Sequence, residues 1–250
     1  MRAVAVDERA GAVLMSEIES IEILARADHW LAVNKPAGLS VYESTYTGPR
    51  EATLLGLLRR QLGVDRIHAI HRLDHATSGV LLLSLDARTA AELSAQFQSR
   101  AVIKTYIAVV RGEPAEQFQV DHPLSGASGR GQGKPALTDF RTLGRLRLAI
   151  PLARHPEARY ALVEALPETG RYHQIRRHLK HAAHPIVGDV KYGKGEHNRL
   201  FRQHYGVHRL LLHARRLQFA DPQDGSMVTV EAPFDGAFAR ALALFGETAV

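Results

Sequence analysis

The chain has 250 residues, 45% hydrophobic and 23% charged, with no cysteine and a formal charge of +6. That composition is ordinary for a folded globular protein, and it excludes global disorder, disulfide bonding and thiolate metal centres. No apolar run approaches the roughly 18 residues that a membrane helix requires, and the acid-containing N-terminus does not read as a signal peptide, so a cytoplasmic protein is expected.

Taken in chain order, the pattern is mixed α and β without repeats. Ile21 to Ala25 and Trp30 to Asn34 read as strands around an Asp-containing turn, and Lys35-Pro36-Ala37-Gly38 closes the second. Thr53 is placed to cap a helix reaching about Leu62, with Leu54, Leu57, Leu58 and Gln61 at helical spacing. Val80 to Leu83 is the continuous apolar run of a buried strand, and Asp86 caps a helix to about Ser99 that buries Ala90, Leu93 and Phe97. Val102 to Val110 is a strand whose period of two sends Lys104 and Tyr106 to one face. Ser125 to Lys134, with its four glycines and the basic residues Arg130 and Lys134, reads as a surface loop and lacks the spacing of a nucleotide cradle.

Strands follow at about Asp139 to Ile150 and Tyr160 to Leu166. Gly170 breaks the chain before a helix from Arg171 to about Ala183, stopped by Pro185, with Ile175, Leu179 and Ala182 as its apolar stripe. A strand from Arg209 to Phe219 and a short one from Met227 to Val230 precede a last helix, capped by Asp235, that turns Phe238, Ala241, Leu242 and Phe245 inward. No linker-like break divides these elements, so one domain after a short N-terminal extension is the simplest organisation.

The basic excess is local. Between Thr169 and Arg209 stand nine Lys or Arg and two acids, Asp189 and Glu196, a stretch of +7 in a chain of +6. Such clustering is either a solvated helix face or a surface that binds a polyanion. His173, His178, His181 and His184 lie in the same region, two of them close enough along a helix to share a metal. No Asp, Glu or Cys joins them at ligand spacing, and the surrounding cations oppose a metal, so none is expected.

The segment HRLDHATSGVLLL, His71 to Leu83, holds one carboxylate, Asp74, beside an Arg and ahead of the buried strand. Thr77, Ser78 and Gly79 are suited to tie a turn there through side-chain to backbone hydrogen bonds, Gly79 also permitting a close approach or positive φ. On the residues alone, Asp74 is either a brace for that turn or a reactive carboxylate on a scaffolded loop.

The same segment resembles the central motif, HRLDxxTSGLLLL in outline, of pseudouridine synthases of the large-ribosomal-RNA synthase A type. Asn34 to Val41 is similar to that family's NKPxGxxVH motif, with Tyr42 where His is usual. Lys104-Thr105-Tyr106 resembles its KxY motif, and Thr169 to Leu179 its TGRxHQIRxHL motif. His184 to Asp189 and Arg209 to Ala214 resemble its downstream partners. These segments run from about Ile21 to Phe219 in the family's order.

The resemblance implies an α+β fold: a single catalytic domain, residues 19–250, on a mostly antiparallel mixed sheet flanked by helices, after an extension of residues 1–18. With fewer than 21 residues ahead of the first strand, the added N-terminal RNA-binding domain of many relatives is not expected. The activity implied is isomerisation of a uridine in structured RNA, with no cofactor and no metal. Asp74 would be the nucleophile or electrostatic partner at the ribose. Arg176, next to the buried stripe, would orient it; its alternative is a solvated helix cation. Tyr106 would stack on the flipped uracil rather than serve as an ordinary core aromatic. Arg72 would fill the gap left by the base rather than form a structural salt bridge. The segment GKGEHNR and His204-Tyr205-Gly206 resemble those of family members that act on transfer RNA, and that resemblance implies uridine 65 of the T-stem over 23S ribosomal RNA or a dual substrate. From other classes stand an RNA-binding or RNA-chaperone protein without required catalysis, and a metal-dependent hydrolase built on the histidines. A monomer without a protein partner is expected.

Overall fold

The computed structural model describes residues 20–42, 53–129, 131–152 and 155–246. In chain order its elements are β1 (Ile23–Arg26), β2 (Trp30–Lys35), α1 (Leu54–Leu62), β3 (His68–Ala69), β4 (Ser78–Ser84), α2 (Ala87–Gln98), β5 (Ile103–Arg111), β6 (Gln117–Asp121), β7 (Leu137–Leu148), β8 (Ala158–Pro167), α3 (Gln174–His181), α4 (Gly195–Tyr205), β9 (Leu212–Ala220), β10 (Met227–Glu231) and α5 (Gly236–Ala243). Ten strands form one sheet in the order β1-β2-β4-β9-β5-β8-β7-β6, with β3 added on β4 and β10 on β9. Every pairing is antiparallel except the short parallel contact of β4 with β9. This is an α+β fold on a mostly antiparallel mixed sheet, as the motifs imply.

Period-two alternation sorts the core onto two faces. Leu31, Val33, Leu81 and Leu83 pack with Leu54, Leu55 and Leu58 of α1. Their alternates Trp30, Ala32, Val80 and Leu82 pack with Leu93 of α2 and Phe219 of β9. All seven residues of β4 are buried, because helices cover both of its faces. A third cluster joins β5, β8, α3, α4 and α5 through residues such as Val109, Leu162, Leu179, Phe201 and Phe238.

Local chemistry fixes the helix ends. The Thr53 hydroxyl accepts from Gly56 N at 3.1 Å, Asp86 Oδ1 from Thr89 N at 2.9 Å, and Asp235 Oδ1 from Phe238 N at 2.9 Å. Each such cap is worth about 1 kcal/mol.

Three expectations need correction. The helix expected from Arg171 begins at Gln174, because Arg171 to His173 form a turn in which Gln174 N donates to Arg171 O at 3.1 Å and His173 takes a φ of 54°. Ser78 and Gly79 do not tie a turn; they open β4, and Ser78 Oγ bonds His213 Nδ1 at 2.7 Å instead. Thr77 Oγ1, the third member of that set, is buried without a hydrogen-bond partner among the described residues. The edge strand β6 and the helix α4 were not expected at all. The N-terminal extension and Arg130 lie outside the described residues.

Gly79 is where the two halves of the sheet meet. It pairs with Ala214 across the β4–β9 seam at a φ of 113°, and a Cβ there would collide with the Ala214 carbonyl. We expect Gly79→Ala to lower unfolding free energy by about 3 kcal/mol or more, from steric overlap and backbone strain together. Urea denaturation checks this, and a shift under 1 kcal/mol would show that the seam tolerates a side chain.

Candidate active site

The loop between β3 and β4 carries Asp74 and is fastened at each of its corners. Ile70 N donates to Leu82 O at 3.2 Å, and Leu82 N donates to His71 Nε2 at 3.1 Å. The His71 ring stacks on Phe97 with centroids 4.7 Å apart. Because Nε2 accepts, the imidazole is neutral, and burial pushes its pKa down to about 3. Thr77 N closes the turn on Asp74 O at 3.0 Å.

Lys35 fastens the loop from beneath. Its side chain is fully buried, and Nζ donates to Pro36 O and Leu39 O at 2.8 Å each and to His75 O at 3.1 Å. All three ammonium protons are thereby matched to carbonyl oxygens. Burial, reinforced by Arg209, lowers its pKa to about 7, while Asp74 opposes the shift.

Arg176 on α3 reaches Asp74 through NH1 at 3.1 Å. Its other donors, Nε and NH2, hold Asp189 bidentately at 2.7 and 2.9 Å. Asp189 is 1% exposed and also accepts from Lys191 N and Tyr192 N at 2.9 Å each. Burial works against both charges. The Arg176 hydrogen bonds and the backbone N–H groups of Tyr192 and Lys191 outweigh it and hold the Asp189 carboxyl below the usual range. Bonds to Asp189, then the charges of Asp189 and Asp74, likewise raise the Arg176 pKa despite burial. A guanidinium bound on both sides by carboxylates has one accessible orientation.

His173 stands beside this group, its Nε2 3.8 Å from Asp74 Oδ2 and its Nδ1 3.1 Å from the Tyr192 hydroxyl. Burial pushes its pKa down to about 4 although Asp74 pulls the other way. Gln174 ties the segment to β7: its Oε1 accepts from Thr169 Oγ1 and Arg171 N at 2.6 and 2.9 Å, and its Nε2 donates to Leu137 O and Thr138 Oγ1 at 2.9 and 3.0 Å.

These elements wall a cavity of about 800 Å³ in which Arg72, Asp74, Tyr106 and Arg176 all take part. All four residues singled out from the sequence are thus brought to one place. Tyr106 packs against the core at its base, and burial, then the Asp74 charge, raises its phenol pKa. Arg72 is exposed at the rim and pairs with no acid among the described residues. The cavity wall holds five cations, Arg72, Arg100, Lys104, Arg171 and Arg176, against two acids, Asp74 and Glu168. Anionic ligands are favoured by such a wall.

The family model for RNA pseudouridylate synthases matches residues 29–181, which hold Asp74, Tyr106 and Arg176. The chain belongs to the RNA pseudouridylate synthase family, and so to the isomerases. It is 37% identical over 241 residues to the tRNA pseudouridine synthase C of Pectobacterium carotovorum subsp. carotovorum, covering 93% of this chain and 64% of that one. Against the enzyme of the same name from Salmonella typhimurium it is 39% identical, covering 90% of each chain. The human RNA pseudouridylate synthase domain containing 1 superposes with a TM-score of 0.68 at 26% identity, over 94% of this chain and 98% of that one.

Sequence reasoning did not single out Asp189 or Lys35. Asp189 was visible as an acid inside a basic stretch and as the end of a downstream motif, and Lys35 as part of a motif, neither with a role of its own. Of the nine cations between Thr169 and Arg209, Arg171 lines the cavity and binds Pro135 O at 3.1 Å, and three others are turned inward. Arg176 binds the two carboxylates, Arg177 binds Ser125 O at 2.7 Å, and Arg209 binds Ser78 Oγ, Leu212 O and Asp235. Lys180, Lys191, Lys194, Arg199 and Arg202 are exposed. The histidines are spread among separate partners: His178 bonds Thr138 Oγ1 and His122 O at 2.9 and 3.1 Å, and His181 stacks on His122. Among the described residues no three His, Cys, Asp or Glu side chains converge on a metal position, and no helix is long and apolar enough to cross a membrane. Tyr42, in the place of a His, bonds Ala69 O at 3.4 Å outside the cavity lining.

A pH dependence follows from the buried imidazoles. His71 and His213 are held near 3 and near 4 by burial, against 6.5 when free. Below 6.5 the unfolded chain takes up protons that the fold refuses, so this contribution to stability is complete above that pH and is lost as pH falls toward 4. We expect the urea stability to drop between about pH 7 and about pH 5 by on the order of 1–2 kcal/mol per histidine. A flat profile would mean that both rings take up protons in the fold as readily as in the unfolded chain.

Proposed function

We propose that the chain converts a uridine of transfer RNA, at position 65 in the T-stem, to pseudouridine, with Asp74 as the attacking group, acting as a cytoplasmic monomer. One observation carries the mechanism: Asp74 and Tyr106 line the same cavity while Arg176, anchored on Asp189, holds the Asp74 carboxylate. The names of the relatives from Pectobacterium and Salmonella support the choice of RNA.

Uridine must first leave its stack, at a cost of a few kcal/mol, and Arg72 at the cavity rim is placed to occupy the vacated space. Tyr106 then offers a flat face to the uracil. Asp74 acts at C1′ of the ribose, where the bond to N1 of the base breaks. The uracil turns so that C5 faces C1′, the C–C bond forms as the Asp74 carboxylate leaves C1′, and the C5 proton departs while N1 acquires one. Tyr106 keeps its own proton at neutral pH, given the raised pKa, so its hydroxyl serves in proton removal as a relay. Atoms and redox state balance without an added reagent.

Asp74→Asn should fold and bind RNA with unchanged affinity while turnover falls by roughly 10³-fold or more. Tritium release from uridine labelled at C5 measures it, and substantial turnover would remove Asp74 from the attacking role. Mapping of pseudouridine in total RNA from cells with and without the gene tests the target, since loss of a site other than uridine 65 would redirect the assignment.

Tyr106→Phe should keep RNA affinity and slow turnover by roughly 10²-fold, whereas Tyr106→Ala should also lose about 1–3 kcal/mol of stacking. Wild-type rates in both variants would reduce Tyr106 to a core residue.

A further inference from the structure

Helix α2 ends in a way that steric rules disfavour. Its last turn is closed by Arg100 N to Phe97 O at 3.3 Å and Ala101 N to Gln96 O at 2.9 Å. That pair of bonds requires the intervening residue to be left-handed, a position usually given to glycine because a Cβ is strained there. In this chain α1 and α4 end on Gly63 and Gly206 in that conformation, at φ of 65° and 62°, and α3 is followed by Ala183 at 65°. α2 uses a long cation instead, Arg100, at a φ of 63°.

The strained residue lines the cavity, and Lys104 lines it too. Among the described residues Lys104 Nζ reaches one acceptor, the Thr169 carbonyl, at 3.5 Å. Burial, then the nearby Arg100, lowers its pKa to about 8. The acid paired with Arg100 is Glu168, at 3.7 Å, with the two side chains 56% and 44% exposed. An ion pair that open to water contributes little. Two cations are therefore held near each other on one wall, weakly compensated, with backbone strain accepted to keep one of them there. An anion placed against both would relieve their repulsion and give the Lys104 protons acceptors.

We propose that Arg100 and Lys104 form a phosphate subsite on the α2 side of the cavity, which grips a backbone phosphodiester beside the flipped uridine. The choice of occupant rests on the proposed RNA substrate. The pair touches the substrate backbone and not the reacting atoms, so it acts on binding and positioning.

The test uses the full chain and a tRNA transcript carrying the T-stem, measuring affinity over a series of salt concentrations together with KM, kcat and thermal midpoint. Arg100→Gly places the sterically preferred residue at the strained position. It should leave the thermal midpoint unchanged or higher while raising KM by roughly two- to fivefold and reducing the log–log salt slope by about 0.7–0.9. Lys104→Gln should reduce the slope by a similar amount, and Lys104→Arg should restore it. Arg88→Gln, which removes an exposed cation near the other end of α2, should change neither KM nor slope. An unaltered slope in both Arg100→Gly and Lys104→Gln would overturn the subsite, as would an equal loss in Arg88→Gln. Absence of pseudouridine with the wild-type chain would instead defeat the functional reading, while the slopes would still report on the anion contact.

Discussion

The site depends on one buried cation. Arg176 is 7% exposed, and placing a guanidinium there costs several kcal/mol unless anions compensate it. Asp189 supplies most of that compensation with two hydrogen bonds, which leaves the single NH1 contact for Asp74. The division matters chemically. On the proposed mechanism a carboxylate held by two strong bonds would be a poor nucleophile, whereas Asp74 is held by Arg176 through Oδ2 with one bond. Removing Asp189 would strand the cation and loosen Asp74 at once, at roughly 3–5 kcal/mol.

Around this ion group the neighbouring imidazoles are neutral. His173 faces Asp74 at 3.8 Å yet is pushed to about 4. His71, also on the cavity wall, accepts from Leu82 N at Nε2 and is pushed to about 3. Neutral rings fill space and fix hydrogen-bond direction without adding charge to a wall that already carries five cations. The electrostatics of the cavity are thereby left to the carboxylates, lysines and arginines.

Much of this arrangement was legible in the sequence wherever local signals were strong. Thr53, Asp86 and Asp235 are polar residues directly ahead of helical apolar spacing, and each caps the helix it announces. Arg176 could be read as reaching inward because its neighbour Ile175 belongs to the apolar stripe. α4 was illegible because its sequence is polar, its N-cap Lys194 makes no side-chain bond, and only Leu200 and Phe201 are buried. β6 was missed because a five-residue edge strand with one buried position, Val120, carries almost no pattern. Asp189 and Lys35 were missed for a different reason: a partner 13 residues away across a turn, or a cage of carbonyls, is decided by tertiary packing and leaves no periodic trace.

The seam between β4 and β9 has a consequence for how the molecule comes into being. Ser78 and His213 are 135 positions apart, and Asp74 and Arg176 are 102 apart. During synthesis, β1, β2, α1 and β4 can assemble as soon as they emerge, since their contacts are sequence-near. The edge of β4 at Ser78 and Gly79 then waits until β9 has left the ribosome. Long-range pairings of this kind slow folding and expose strand edges in the interval. The contact that fixes the orientation of Asp74 is therefore made only after most of the chain has been synthesised.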